Sequence, residues 1–206
     1  MKIVKLLLGV WVGLCFGACD KKSDFFTGEE RERIGHSEEA GIMPLFLVTD
    51  RADSLFLRLQ AKEFGKEDIE TETFRVLRSR MLATVRDSLN EGVGIAAPQV
   101  GISRQLVAVQ RLDKVGEPFE FYVNPEIVYF SQDSVLGEEG CLSIPDRTGA
   151  VYRSKEIIVR YRDELSFEWR QDTVREFTAR IFQHEIDHLN GILYLSLIHI
   201  SEPTRP

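Results

Sequence analysis

REFTARIFQHEIDHLNG, residues 175–191, has the periodicity of an amphipathic α-helix and guides the interpretation of the whole chain. In an α-helix, positions four apart lie only about 40° apart around the axis. One face of this helix therefore carries Phe177, Ile181, His184 and His188. The apolar pair predicts that the helix packs on a core, and the histidine pair raises the question of a metal site.

The two histidines and the glutamate beside the first form the pattern H-E-x-x-H. His184 and His188 can bind one metal ion from the same helix face, and Glu185 lies close enough to exchange protons with a water molecule there. The pattern also occurs by chance. In that case Glu185 and Asp187 are ordinary solvated residues of a polar helix face.

A catalytic metal site needs a third protein ligand, and few residues follow this helix. Cys141, in LGEEGCLSIP, is the upstream candidate, since a thiolate in a glycine-flanked turn can face a cleft. A Cys, His, His set suits Fe(II), Zn or Co. The alternative for a lone cysteine is a buried, small apolar residue.

The preceding sequence predicts one helix and then several strands. Residues 70–90 have helical spacing and predict an amphipathic helix whose core positions are Phe74, Leu77, Met81, Val85 and Leu89. From residue 104, β-branched and aromatic segments predict strands at RQLVAVQRL, FEFYVNP, EIVYF, GAVYRSKEIIVRYRD and LSFEWRQ. The last two are expected to form a hairpin around residues 163–164. This order predicts an α+β fold with antiparallel strands packed against the C-terminal helix.

Between the first helix and the strands lies EGVGIAAPQVG, residues 91–101. Its run of small residues suits close approach of the backbone to a ligand or to a neighbouring strand. The spacing differs from that of a phosphate-binding loop, and no lysine follows. Gln99 is the strong hydrogen-bonding side chain of the segment, and in a purely structural turn it would only satisfy backbone groups.

Composition limits the function classes. The chain has 206 residues, a net charge of −7 and a pI near 5.2. An acidic balance argues against bulk binding of nucleic acid, which generally needs a basic face. The length suits one domain with additional segments, and catalysis or small-ligand binding remains open.

The N-terminus predicts export. Residues 1–19 combine a basic start with a short apolar run that ends in Gly-Ala-Cys, which resembles the lipobox of bacterial lipoproteins and makes Cys19 the expected lipid attachment site. Residues 20–42 are charged and aperiodic and are expected to form a flexible tether. The predicted location is the cell envelope, with the membrane reached only through the lipid. If translation starts at Met43, the expected location is the cytoplasm.

Three segments together resemble the peptide deformylase family. GVGIAAPQ (92–99) corresponds to the family motif Gly-x-Gly-x-Ala-Ala-x-Gln, EGCLS (139–143) to Glu-Gly-Cys-x-Ser, and QHEIDH (183–188) to Gln-His-Glu-x-Asp-His. The resemblance runs from about residue 43 to 194, which is the expected catalytic domain. It implies a metal-dependent hydrolase that removes the formyl group from N-formylmethionyl peptides and releases formate.

The resemblance also implies roles for individual residues. It makes Cys141, His184 and His188 the ligands of one divalent metal, Fe(II) first and Zn, Ni or Co as possibilities. Glu185 is the implied general acid and base, with Gln99 and the backbone N–H of Leu142 as the oxyanion hole. The substrate is expected to contact Val93, Gly94, Gly140 and Ile181, and Asp187 to steady the ligands or to form a surface ion pair.

Two other functions stay open at this point. One is a zinc peptidase of the H-E-x-x-H type. The other is an envelope metallohydrolase or peptide-binding lipoprotein for other N-acyl peptides. The oligomeric state is not predicted.

The C-terminal residues 195–206 differ from the rest of the chain. LSLIHISEPTR reads like the translation of a transposase adapter used for sequencing libraries, so genuine sequence is expected to end near Tyr194.

Overall fold

The computed structural model of the protein describes residues 26–35 and 41–198. A five-stranded antiparallel sheet has the order β1-β2-β3-β6-β7, and a separate two-stranded ribbon pairs β4 with β5. The strands are β1 Gly94–Ala96, β2 Leu106–Gln110, β3 Phe119–Phe130, β4 Ser134–Cys141, β5 Ile144–Ser154, β6 Glu156–Arg162 and β7 Trp169–Arg175. The predicted α+β class is confirmed.

Helices cover the sheet. They are α1 Gly28–Ile34, α2 Arg51–Phe56, α3 Lys66–Ile69, α4 Glu72–Arg86, α5 Glu176–Leu189 and α6 Leu195–Ile198, with a 3₁₀ helix at Ala97–Val100. The predicted C-terminal helix is α5, and its apolar residues Phe182 and Ile186 pack with the strand residues Val107 and Val159 in one buried cluster. Helix α4 contributes Leu77 to a second cluster. None of the helices within residues 26–35 and 41–198 is both long and apolar enough to cross a membrane.

Two predicted strands are one continuous strand. FEFYVNP and EIVYF form β3, which remains paired with β6 through register shifts on either side of residues 126–127. Asn124 takes a positive φ of 49° beside Pro125 and exchanges hydrogen bonds with the backbone of Phe64. The proline therefore lies at an irregularity inside the strand, where its missing N–H is tolerated. The predicted hairpin around residues 163–164 is confirmed as β6–β7.

Helix α4 ends earlier than predicted, and Leu89 is outside the core. Asp87 leaves the helical conformation, and its carboxylate accepts a hydrogen bond from the Leu89 N–H at 3.0 Å. The Asn90 amide donates to the Thr84 carbonyl at 2.7 Å and so adds a hydrogen bond at the helix end. Leu89 is 90% exposed as a result.

Part of the segment expected to be a flexible tether is folded. Within residues 20–42, α1 begins with a capping box at Thr27 and Glu30 and packs on α4. Phe26 and Ile34 are buried in the same cluster as Leu77. The Arg80 side chain donates a hydrogen bond to the Ile34 carbonyl at 2.6 Å. The charged residues of this segment cap the helix and form ion pairs. Amino-acid composition alone does not distinguish such a segment from a disordered one.

The predicted segments at both ends lie largely outside the described residues. The proposed signal sequence 1–19 with Cys19 is outside them, as are residues 199–206 of the expected adapter translation. Residues 195–198 form α6, whose Leu195 and Ile198 contact the small apolar cluster around Tyr194.

Candidate active site

The three predicted ligands converge from two elements. Cys141 is the last residue of β4, and His184 and His188 lie one turn apart on α5. One ligand atom from each of the three lies within 4.8 Å of the others. This is the separation expected of side chains that share one ion, and both histidines are largely buried.

Gln99 is held at the cysteine by its own backbone segment. Its Oε1 accepts a hydrogen bond from the Ala96 N–H at 2.8 Å, which fixes the orientation of the amide. Its Nε2 then points at the Cys141 Sγ, 3.5 Å away. Gln99 is 1% exposed, because the small residues before it allow the 3₁₀ helix to pack inside the domain.

A charged network lies behind the histidine pair. The His184 Nδ1 is 3.0 Å from Glu139 Oε2, and Arg153 binds both oxygens of that carboxylate at 2.9 and 3.0 Å. Arg153 also donates to Asp187 at 2.7 Å, and Arg180 donates to Glu139 at 2.8 Å. Asp187 is thus linked through Arg153 to Glu139, the partner of a candidate ligand.

The pKa values of two groups in this network are shifted by their neighbours. Burial works to raise the pKa of Glu139, but His184 and Arg153 outweigh it and lower that pKa to about 2. Burial works to lower the pKa of His184, but hydrogen bonds to Cys141 and Glu139 raise it to about 10. Because Glu139 occupies Nδ1 of His184, Nε2 is left as the metal-binding atom. One thiol and two imidazoles are a donor set that fits a divalent transition metal.

Glu185 is a buried carboxylate at the edge of this cluster. It is 4% exposed, and its Oε2 has no hydrogen-bond partner among the described residues. Burial raises its pKa to about 7, against a lowering effect of His184. A carboxyl group with a pKa near neutrality can both accept and return a proton at physiological pH.

Gly94 makes room for this carboxylate. A Cβ at position 94 would lie 2.5 Å from Glu185 Oε1 and 2.9 Å from its Cγ. No side chain larger than hydrogen fits there unless Glu185 moves. The close approach that the small-residue run predicts is therefore an approach to the Glu185 carboxylate.

A cavity of about 540 Å³ opens over the site. Its walls include all the predicted catalytic and substrate residues together with two of the ligands, namely Val93, Gly94, Gln99, Gly140, Cys141, Leu142, Ile181, His184 and Glu185. His188 lies behind the cavity, 1% exposed, with its Nε2 3.2 Å from the Cys141 Sγ. Leu142 occupies the turn that joins β4 to β5, directly after the cysteine.

Two strands with a free edge flank the cavity. Strand β1 is at the end of the five-stranded sheet, and β4 pairs only with β5 among the strands described. Gly94 belongs to β1 and Gly140 to β4. An extended peptide between them could add backbone hydrogen bonds to an open edge.

Sequence reasoning missed the residues that hold the ligands from behind. Arg153 and Arg180 lie in a strand and a helix whose patterns mark them only as charged. Glu139 stands in the motif EGCLS, but its contact with His184 depends on the packing of β4 against α5. Phe177, 54% exposed, lines the cavity and is not part of the core.

Comparison with known proteins gives a consistent result. The family model described as Polypeptide deformylase matches residues 46–204. The peptide deformylase of Synechocystis sp. is 40% identical over 143 residues, which cover 69% of this chain and 73% of the relative. That of Pseudothermotoga lettingae is 43% identical over 143 residues, covering 68% and 77%.

Solved structures agree with this assignment. The Met-Ala-Ser-bound class I type b peptide deformylase from Acinetobacter baumannii has a TM-score of 0.66 at 36% identity and covers 76% of this chain and 98% of its own. Peptide deformylase from Thermotoga maritima has a TM-score of 0.66 at 33% identity, covering 79% and 99%. The chain therefore belongs to the peptide deformylase family, and the prediction of a metal-dependent enzyme that removes the N-formyl group from peptides is confirmed.

Proposed function

We propose that this chain hydrolyses N-formylmethionyl peptides at the cavity over Cys141, with one Fe(II) ion held by Cys141, His184 and His188. The donor set also suits Zn, Ni or Co. When bound, such a metal supplies Lewis-acid activation of water and of the formyl oxygen. Loading the full-length chain with each metal and measuring metal per chain and formate release ranks the four ions.

Glu185 is the proton carrier of this reaction. Its free oxygen accepts a proton from the water that attacks the formyl carbon, and it then protonates the leaving amine nitrogen. The products are formate and a peptide with a free N-terminal methionine. The observation that carries this role is a buried, unpartnered carboxylate oxygen with a pKa raised to about 7 beside the ligand cluster.

Gln99 and Leu142 stabilise the negative charge on the formyl oxygen as the tetrahedral state forms. The Gln99 amide is preoriented by its bond to the Ala96 N–H, so little reorganisation is needed during the reaction. The backbone N–H of Leu142 lies in the turn after Cys141 and provides the second donor. Donors fixed before the reaction are worth more than donors that must reorient.

The substrate backbone pairs with the free edges near Val93, Gly94 and Gly140, and the methionine side chain lies against Ile181. All four residues line the cavity. The relative from Acinetobacter baumannii crystallised with Met-Ala-Ser, which has the free methionine of a deformylated product. This pose orients the formyl group toward Glu185.

A peptidase assay separates this function from that of an H-E-x-x-H endopeptidase. Formyl-Met-Ala-Ser is incubated with the metal-loaded full-length chain, and the products are identified by mass spectrometry. Deformylation gives formate and intact Met-Ala-Ser. Cleavage of an internal peptide bond with the formyl group retained would contradict the proposal.

We infer a location in the cell envelope, with Cys19 lipidated. The first support is the lipobox-like sequence. The second is that Phe26 and Ile34 belong to the core, and a start at Met43 would remove them together with α1. Metabolic labelling with a lipid precursor tests the inference. Label is expected in the wild type and in Cys15→Ser, and its persistence in Cys19→Ser would contradict the assignment.

The sequence from residue 195 to 206 is proposed to be a translated adapter. The support is its resemblance to adapter-encoded sequence. The family match counts against the proposal, because it runs to residue 204 and covers most of the segment. Reading the gene from genomic DNA decides the origin, because continuous genomic sequence through residues 195–206 would contradict the proposal.

A further inference from the structure

Helix α1 precedes the residues that the family model matches, which begin at residue 46. The mechanism described above gives this helix no role. It packs on α4, and its Arg33 side chain reaches Gly101, the residue that ends the 3₁₀ helix carrying Gln99. A segment outside the family match therefore contacts the element that holds an oxyanion residue.

The end of α1 is fixed to the domain by a buried guanidinium group. Arg80 of α4 is 8% exposed. It donates to the carbonyls of Arg33 and Ile34 at 3.1 and 2.6 Å, and to those of Gly41 and Ile42, both at 3.1 Å. The last carbonyls of a helix have no partner within it, so Arg80 both completes the end of α1 and holds the segment that follows.

The beginning of α1 is fixed by a second arginine. Arg104 donates to the two carboxylate oxygens of Glu30 at 3.2 and 3.1 Å, and the two side chains are only 7% and 12% exposed. A two-point contact between a guanidinium and a carboxylate fixes orientation as well as distance. Because it is held at both ends, α1 can serve as a rigid support.

Arg33 uses this support to hold Phe46. Its guanidinium carbon lies 4.7 Å from the centre of the Phe46 ring, and the Phe56 ring meets Phe46 edge to face with the centroids 5.0 Å apart. Among residues 26–35 and 41–198 the Arg33 side chain has no ion pair or hydrogen bond. Stacking on Phe46 is therefore the interaction that orients it, with the cation attracted to the ring face and the stem covering apolar surface.

Phe46 is in turn bound to the backbone of Gln99. The Phe46 N–H donates to the Gln99 carbonyl at 2.8 Å. A Cβ at Gly101 would lie 2.6 Å from Phe46 Cζ and 2.9 Å from Arg33 Cδ, and Gly101 has a φ of 76°. Only glycine suits both that conformation and that space. Arg33 and Phe46 thus press directly on the end of the 3₁₀ helix that carries Gln99.

We propose that α1 supports the oxyanion donor and that Arg33 is a positioning residue that acts through Phe46 on Gln99. The proposal rests on the proposed function, in which the Gln99 amide stabilises charge on the formyl oxygen. Arg33 is not among the residues that line the catalytic cavity, so its effect reaches the substrate only through Gln99. A donor held in place before the reaction stabilises the developing charge more than one that must reorient.

Kinetics of Arg33→Ala in the Fe(II)-loaded full-length chain test the proposal. The variant is expected to lower kcat for formate release about tenfold and to leave KM within about twofold, because the amide is misplaced but substrate contacts remain. In a Gln99→Ala background, Arg33→Ala is expected to cause no further loss, since the group on which it acts is gone. Wild-type kcat in Arg33→Ala, or a further tenfold loss in the Gln99→Ala background, would overturn the proposal.

Arg86→Ala is the matched control. The Arg86 guanidinium carbon lies 5.2 Å from the centre of the Phe119 ring, and in the described part of the chain its side chain likewise has no ion pair or hydrogen bond. The substitution therefore removes the same kind of stacking at a place that does not touch Gln99. It is expected to keep the wild-type kcat and KM. Equal losses of kcat in Arg33→Ala and Arg86→Ala would indicate general destabilisation and overturn the proposal.

A spectroscopic measurement separates this proposal from the proposed function. In the diamagnetic Zn-loaded chain with isotopically labelled glutamine, the side-chain amide NMR signal of Gln99 is identified by its loss in Gln99→Ala. The signal is expected to shift in Arg33→Ala and to keep its position in Arg86→Ala. That pattern supports the positioning role even if no formate is released, a result that would contradict only the proposed chemistry. An unshifted Gln99 signal in Arg33→Ala would overturn the inference.

Discussion

Replacement of Gly94 by alanine tests the geometry of the active site with the smallest possible change. The new Cβ would lie 2.5 Å from Glu185 Oε1 and 2.9 Å from both Cδ and Cγ. Ordinary van der Waals contact begins at about 3.4 Å, so the Glu185 side chain must move by roughly 1 Å. Moving only the carboxylate oxygens does not relieve the clash, because Cγ is also too close. A displacement of that size at a catalytic group costs about 10²-fold in rate.

The expected result for Gly94→Ala is a loss of about 10²-fold in kcat for formate release. Metal content should stay at the wild-type value, since none of the three ligands is contacted. Gly65→Ala is a suitable control because its Cβ would meet only Asp68, at 3.6 Å. Wild-type kcat in Gly94→Ala would refute the inference that Glu185 must occupy its observed position.

Four further outcomes are expected. Gln99→Ala is expected to lower kcat for formate release about 10²-fold with little change in KM, because the amide stabilises charge that develops during the reaction. A change in KM alone would contradict this and indicate a binding role. Cys141→Ala reduces bound metal well below that of the wild type after dialysis, as measured by elemental analysis, and undiminished metal would exclude the thiol as a ligand. Ile34 is fully buried, so Ile34→Ala is expected to lower the free energy of unfolding by about 3 kcal/mol, as measured by urea titration. An unchanged midpoint would place α1 outside the cooperative fold. Arg111 is 3% exposed and donates to Asp113 at 2.8 and 2.7 Å and to Asp172 at 2.7 Å. Arg111→Leu is expected to lower the free energy of unfolding by about 3 kcal/mol at pH 7, because both carboxylates lose their partner. Hydrogen bonding to Arg111 holds the pKa of Asp113 below its usual value. The difference in free energy of unfolding between wild type and variant is therefore fully present above the unfolded carboxyl pKa of about 3.9, and it shrinks as pH falls through the lower folded value. A difference that does not change with pH would contradict this.

Much of the fold followed from periodicity alone. Helix α5 was predictable because its apolar and histidine positions repeat at helical spacing over fourteen residues. The strands were predictable from β-branched and aromatic segments, but the continuity of β3 was not. Pro125 and the Asn124 conformation produce an irregular yet unbroken strand, and a sequence pattern does not distinguish that from a turn.

Errors arose where local signals competed. Leu89 continues the helical spacing of α4, but Asp87 and Asn90 end the helix first by binding backbone groups. The charged segment around α1 has the composition of a tether. Its stability comes from the burial of Phe26 and Ile34 against α4, which is far away in the sequence. Such tertiary effects override composition.

The site residues were predicted from motifs, but the residues that hold them in place were not. Cys141 and the two histidines fall in motifs whose residue types carry the chemistry. The Arg180–Glu139 contact joins α5 to β4, which are far apart in sequence, and the Arg153–Glu139 contact depends on the register between β4 and β5. A single sequence contains no signal for a pairing of that kind.

The most direct test of the account measures formate release and metal content together in the wild type and in Glu185→Gln. The account predicts that the Fe(II)-loaded wild type releases formate from formyl-Met-Ala-Ser with one metal per chain. The variant should bind the same metal but react about 10²- to 10⁴-fold more slowly, because glutamine cannot carry the proton. Wild-type rates in the metal-loaded variant would contradict the role of Glu185, and an inactive wild type with one metal per chain would contradict the proposed function.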